Sequence, residues 1–147
     1  ILYFSSTYRF LSNFYPARVR LDGYEYPSVE HAYQAAKSED ETYKSRIRNN
    51  PSAGAAKSAG QKAVLILNWD TLKLVVMREL LIQKFITGKD APELASLLIA
   101  TGDAHLVEGN TWKDTYWGEC PIGNGQNNLG RLLMMVREKL CLIGVTS

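Results

Sequence analysis

The spacing of apolar residues changes character several times along the chain, and each change predicts an element. Arg18-Val19-Arg20-Leu21 and Tyr24-Glu25-Tyr26 alternate polar and apolar positions around Asp22-Gly23, which predicts a β-hairpin on an Asp-Gly turn. Upstream, Arg9-Phe10-Leu11-Ser12-Asn13-Phe14-Tyr15-Pro16 is dense in aromatics but has no clean period. It reads as a partly buried loop, so residues 1–27 are expected to be short extended pieces. Pro27-Ser28 ends that stretch, with Ser28 as the cap of a helix reaching about Lys37 or Ser38. A short helix over 40–50 and an Ala-rich one over 52–59, stopped by Gly60, come next. The 64–67 run fits a strand or a buried helical turn. The longest helix follows, capped by Asp70, with Leu74, Met77, Leu81 and Phe85 recurring at helical spacing until Gly88.

Asp90 and Pro92 then open a helix with apolar Leu94, Leu97 and Leu98 that stops at Gly102. Residues 105–108 read as a strand. Residues 109–128 are rich in Gly, Asn and Trp with little periodicity, and a loop of that length in a small domain is usually functional. Asn128 caps the last helix, whose buried stripe is Leu129, Leu132, Leu133, Val136 and Leu140. The pattern as a whole predicts an α+β fold: one compact, predominantly helical single domain over 1–147 with a few short strands.

Composition narrows the class. A chain of 147 residues with 46% apolar content can bury a core without disulfides or a structural metal. Seventeen Lys and Arg against 15 Asp and Glu give only +2, so anionic substrates fit, but a concentrated nucleic-acid face does not follow. Lys44, Arg46, Arg48, Lys57 and Lys62 read as a solvated face. Cys120 and Cys141 form no framework, and Cys141 is expected to be reduced and partly buried, as in a reducing, cytoplasmic setting. No run reaches the roughly 18 apolar residues of a membrane span, and Ile1-Leu2-Tyr3-Phe4 lacks the basic leader of a signal peptide. The two histidines and scattered acids match no zinc, calcium or facial-triad spacing, and His31 is expected to be a structural hydrogen-bonding residue. Neither a metal nor a cofactor is expected.

Two constellations carry candidate chemistry. In a helix starting after Ser28, Glu30, Gln34 and Lys37 share one side with Tyr33 at its edge, while Val29, Ala32 and Ala36 take the other. That row is either the outward face of a surface helix or a pocket wall. Glu30 and Lys37 stand about 10 Å apart along the backbone, so their side chains can meet around a bound sugar. The second constellation is Trp112, Asp114, Trp117 and Gly118. Two indoles can stack on a flat heterocycle, and Asp114 can hold a sugar hydroxyl. The alternative is a core Trp pair with Asp114 capping the turn. Residues 123–128 are no phosphate-loop fingerprint, yet they lead flexible amides into a helix start, which suits anions.

Phe10-Leu11-Ser12-Asn13-Phe14-Tyr15-Pro16 followed by Tyr26-Pro27-Ser28-Val29-Glu30-His31-Ala32-Tyr33-Gln34-Ala35-Ala36-Lys37 resembles the opening signature of the NADAR, or YbiA-like, N-glycosidase family. Trp69-Asp70, Val76-Met77-Arg78, Lys84-Phe85, Thr101-Gly102-Asp103, Leu106-Val107-Glu108, Asp114-x-x-Trp117-Gly118 and Asn128-Leu129-Gly130-Arg131-Leu132-Leu133-Met134 continue the likeness in order. The resemblance implies hydrolysis of an N-glycosidic bond to ribose. The expected substrate is a small phosphorylated N-riboside of the riboflavin pathway or ADP-ribosylated guanine, with nucleic acid as one carrier of that modification. It also implies a Lys37 Schiff base with the opened sugar, with Glu30 and Asp114 as further catalytic groups. Substrate contacts are expected from Arg9, Asn13, Tyr33, Gln34, Trp112, Trp117, Gly118 and Asn124, with Arg9 and Asn124 at the phosphate end. The chain departs from the family pattern at Gln61, where an Arg is common. A non-catalytic module binding ADP-ribose or nucleotides would use the same stacking residues without needing Lys37 as nucleophile.

Overall fold

Alternation and an Asp-Gly turn produce the one sheet among the described residues, β1 (Pro16–Leu21) antiparallel to β2 (Tyr24–Ser28). Asp22 and Gly23 both adopt positive φ, 51° and 85°, the geometry that matches a two-residue turn to the strand twist. Val19 pairs with Tyr26, and both are buried. The computed structural model describes residues 1–144, and packing divides it into two units: Asn13–Ala91, and Ile1–Ser12 together with the chain from Pro92 onward. The fold is mainly helical with this small sheet, an α+β arrangement.

In the Asn13–Ala91 unit, α1 (Val29–Ala36) is the hub, packing against both strands and against α2 (Glu41–Arg48), α3 (Ala53–Gly60) and α4 (Trp69–Ile82). Ser28, Asp40 and Ser52 cap α1, α2 and α3 by accepting from His31, Thr42 and Ala55 backbone N–H groups. The helix after 68 starts differently from the expectation. Asn68, in the left-handed region at φ 63°, precedes Trp69, and Asp70 lies inside the first turn rather than at the cap. Its end widens into a π-helical turn, Gln83–Thr87, where Lys84 and Phe85 are buried. Gln83 there pins the hairpin edge by accepting from Arg20 N (2.6 Å) and donating to Arg20 O (2.9 Å).

Several expectations are corrected in this unit. Residues 64–67 form neither strand nor buried turn; Val64 and Leu67 are 84% and 88% exposed. Leu74 is exposed while Met77, Leu81 and Phe85 are buried, so the helix turns its apolar stripe less fully inward than spacing implied. The carboxylate of Asp90 goes to Arg18, accepting from its backbone N (2.8 Å), Nε (3.1 Å) and Nη2 (2.8 Å). Lys44 is buried and paired with Asp22 at 2.9 Å, and Arg48 lies 4.1 Å over the Tyr24 ring, so neither belongs to a merely solvated face.

In the other unit, Ser6–Leu11 is a 3-10 helix rather than an extended or loop piece, with Phe10 and Leu11 buried. The helix α5 (Ala91–Ile99) straddles the boundary; Leu94 and Leu98 are buried, whereas Leu97 is exposed. Residues 105–108 are not a regular strand, although Val107 N donates to Ile1 O at 2.9 Å. The last helix, α6 (Asn128–Leu142), buries all five leucine and valine positions of its predicted stripe. Its start is set by Asn127, not Asn128. Asn127 sits at φ 50° and spends its side chain on the preceding segment, accepting from Glu108 N (3.0 Å) and donating to Leu106 O (2.9 Å). Both cysteines are free, and Cys141 is exposed rather than partly buried. No described helix is long and apolar enough to cross a membrane.

Candidate active site

The polar row predicted on α1 exists, but not on a surface helix. Every residue from Val29 to Ala35 is buried, Glu30 and Gln34 included. A buried carboxylate is costly unless it is bonded. Glu30 meets that demand locally, accepting from Gln34 Nε2 at 2.8 Å one helical turn on. The start of the helix is held from outside it, since Glu30 N donates to the Asn13 carbonyl at 3.1 Å. Asn13 is itself buried, with Nδ2 3.5 Å from Met77 Sδ. Thus Asn13, expected to touch substrate, reaches α1 through its backbone.

His31 behaves as the structural residue expected. Its Nε2 faces the Asn50 carbonyl at 3.1 Å, an acceptor only, so that nitrogen carries the proton. In the neutral ring Nδ1 then accepts from the Ser28 hydroxyl at 2.6 Å, while the same hydroxyl oxygen accepts from His31 N.

Lys37 closes α1 as its C-cap, and its carbonyl accepts from Ile66 N at 2.8 Å, so the irregular 61–68 segment fixes the end of the helix. The ammonium is half-buried and lies 5.7 Å from the centre of the Tyr33 ring. Burial holds its pKa below the ordinary lysine value. The Glu30 charge opposes that shift, and the charges of Lys57 and Lys73 add to it. Tyr33 also packs against Trp69, with ring centroids 5.3 Å apart and planes tilted at 53°. Trp69 marks a resemblance motif, yet spacing alone gave no sign that it would support Tyr33, because α2, α3 and an irregular segment separate them in the chain.

The second constellation is a turn built on Asp114. Its Oδ1 accepts from Tyr116 N (3.1 Å) and Trp117 N (2.9 Å), and its backbone is clamped by the Asn110 side chain. The capping reading of Asp114 is therefore correct, but the Trp pair is not what accompanies it. Trp112 is 58% exposed, and Trp117 packs edge-on against Tyr116 at 4.8 Å. Gly118 is buried where a Cβ would strike the Glu108 carbonyl, so only glycine fits there. Arg9 and Asn124, expected at a phosphate end, are both exposed, and the Asn124 carbonyl accepts from Cys120 N at 2.9 Å. Among the described residues no His, Cys, Asp and Glu cluster suits a metal ion.

Comparison with known proteins gives a consistent result. The NADAR domain model matches residues 3–141. The N-glycosidase YbiA of Escherichia coli (strain K12) is 40% identical over 140 residues, covering 94% of this chain and 85% of that protein. A riboflavin biosynthesis protein of Vibrio vulnificus is 39% identical over 133 residues, 89% of this chain but 35% of that longer protein. The NMR structure of the E. coli protein YbiA superposes with a TM-score of 0.80 at 38% identity, covering 97% of this chain and 85% of that one. This chain belongs to the NADAR family.

Proposed function

We propose that this chain is an N-glycosidase that hydrolyses the bond between a ribose carbon and the nitrogen of a base or amine. The observation that carries this reading is the pairing on one helix of a buried carboxylate, Glu30, with a half-buried amine, Lys37, whose proton affinity burial has lowered. A lysine shifted in this direction offers more neutral amine at moderate pH, which is the nucleophilic form. The E. coli relative's name, N-glycosidase, supports the same reaction class.

In this mechanism the Glu30 carboxylate takes the proton that the Lys37 ammonium gives up in becoming the nucleophilic amine, and delivers it to the departing nitrogen as positive charge develops on the anomeric carbon. The Lys37 amine bonds to that carbon, the sugar ring opens to an imine, and water then releases the sugar and regenerates the amine. Tyr33, braced by Trp69, offers an aromatic wall next to Lys37. Asp114 and Trp117 enter the proposal from the family resemblance, as a partner for ribose hydroxyls and a surface for a flat leaving group. The substrate class is a phosphorylated ribosylamino-pyrimidine or ADP-ribosylated guanine. The Vibrio relative's riboflavin biosynthesis name favours the first.

A panel of both substrate types, assayed by mass spectrometry for free base and sugar, tests the reaction. Borohydride added during turnover should leave a reduced sugar adduct on the peptide containing Lys37. Tight binding without base release would overturn the enzymatic reading in favour of a binding module. Turnover with no adduct, and near-normal rates in Lys37→Ala, would remove the covalent step.

A further inference from the structure

Gln34 was expected to contact substrate, but its surroundings suit another duty. The residue is 4% exposed, with each part of it engaged by a different element. Its backbone carbonyl accepts from the Tyr43 hydroxyl of α2 at 2.7 Å, and burial pushes that phenol's pKa up to about 12, so it remains a donor. Its Nε2 donates to Glu30 Oε1 at 2.8 Å. Its Oε1 meets no hydrogen-bond donor among the described residues, and it points at Gly60, the last residue of α3. A Cβ on Gly60 would overlap that oxygen and stand 2.6 Å from Gln34 Cδ.

We propose that Gln34 is a positioning residue that holds the Glu30 carboxylate in its reacting orientation, with Gly60 as the bare backbone surface against which the Gln34 amide is set. The proposal rests on the reading of Glu30 as the acid–base group. Three facts carry it. The amide can face Glu30 only with its NH2 end, because an amide oxygen against a carboxylate repels. Leaving a buried acceptor without a donor is costly, so the remaining geometry must over-determine this rotamer. Gly60 leaves the amide oxygen room in that rotamer, where any larger residue would evict it. The atom that would yield to a larger residue is the far end of a flexible side chain rather than backbone. Crowding at Gly60 should therefore move the amide off Glu30 while leaving α1 and α3 in place.

The test is a double-mutant cycle of Gly60→Ala and Gln34→Ala, read on the panel substrate turned over best and on thermal melting. Gly60→Ala should lower kcat roughly tenfold to a hundredfold, the range for an ångström-scale misplacement, while KM changes by less than about threefold. In the Gln34→Ala background the added methyl has no amide to displace, so Gly60→Ala should then cost nothing further. Additive losses, or a wild-type kcat in both single variants, would overturn the proposal.

A second readout does not depend on turnover. In 1H–15N spectra the Gln34 side-chain NH2 should exchange slowly with solvent in the wild type and at least about tenfold faster in Gly60→Ala. Rapid exchange in the wild type would refute the lock itself. Unchanged activity in Glu30→Gln with the slow-exchanging NH2 present would refute the assigned chemistry instead, so the two failures are distinguishable.

Discussion

Replacing Glu30 by Gln removes one charge and almost no volume, and the structure lets its consequences be separated. Gln at position 30 can still present a carbonyl oxygen to Gln34 Nε2, now 2.8 Å from the carboxylate. The bond then changes from charge-assisted to neutral, worth about 1.5–3 against 0.5–1.5 kcal/mol, so the expected loss of stability is about 1 kcal/mol. For a chain of this size that is a fall in melting temperature of roughly 2–4 °C. Turnover should respond on another scale, falling roughly 10²- to 10⁴-fold if Glu30 transfers the proton. The substitution also acts on Lys37. Glu30 is the one named influence that raises the Lys37 pKa, whereas burial, Lys57 and Lys73 all lower it. Without the carboxylate more of the amine is neutral, and a reaction limited by amine supply would speed up. Base release measured under saturating substrate, with melting curves on the same samples, decides between these effects. An unchanged or faster kcat in a protein melting within a few degrees of wild type would refute the proton-transfer role.

Trapping of the sugar on Lys37 should rise with pH along a curve centred below the ordinary lysine value, because burial is the leading influence on that amine; a midpoint at the ordinary value would contradict this. Lys84, fully buried, has its pKa pushed down to about 7 from 10.5. Between those values the unfolded chain holds a proton that the folded chain lacks, so stability should rise with pH there by about 1.4 kcal/mol per unit and flatten below pH 7. Urea titrations should show this slope reduced in Lys84→Met, and equal slopes would count against it. Asn127→Ala loses one buried and one part-buried hydrogen bond at a positive-φ position, which should cost about 2–4 kcal/mol in denaturant unfolding, whereas Asn127→Gly should recover part of it. Asp114→Asn can keep an oxygen for Tyr116 N and Trp117 N, so a fall in turnover without loss of melting temperature would assign the carboxylate a chemical duty; unchanged turnover would confine it to the turn.

Local signals determined most of the elements. Ser28, Asp40 and Ser52 are caps because short polar side chains can accept from the first turn, and Asp22-Gly23 turns the chain because both residues tolerate positive φ. The helical row of Glu30, Gln34 and Lys37 was equally legible, as was the apolar stripe of α6. Those features depend only on neighbours three or four residues away. Whether the row faced water or protein could not be read from α1 itself, since that depends on the hairpin, α2, α3 and α4 packing around it. Starts that depart from the expectation, at Asn68 and Asn127, arise where left-handed backbone replaces an ordinary cap. Asn127 is further committed to residues 106 and 108, partners that no local pattern names. The same holds for Trp69 against Tyr33 and for Gly60 against Gln34. Periodicity is a property of one segment, but the environment that lowers a lysine's proton affinity or aims a carboxylate is made by several segments brought together only when the chain folds.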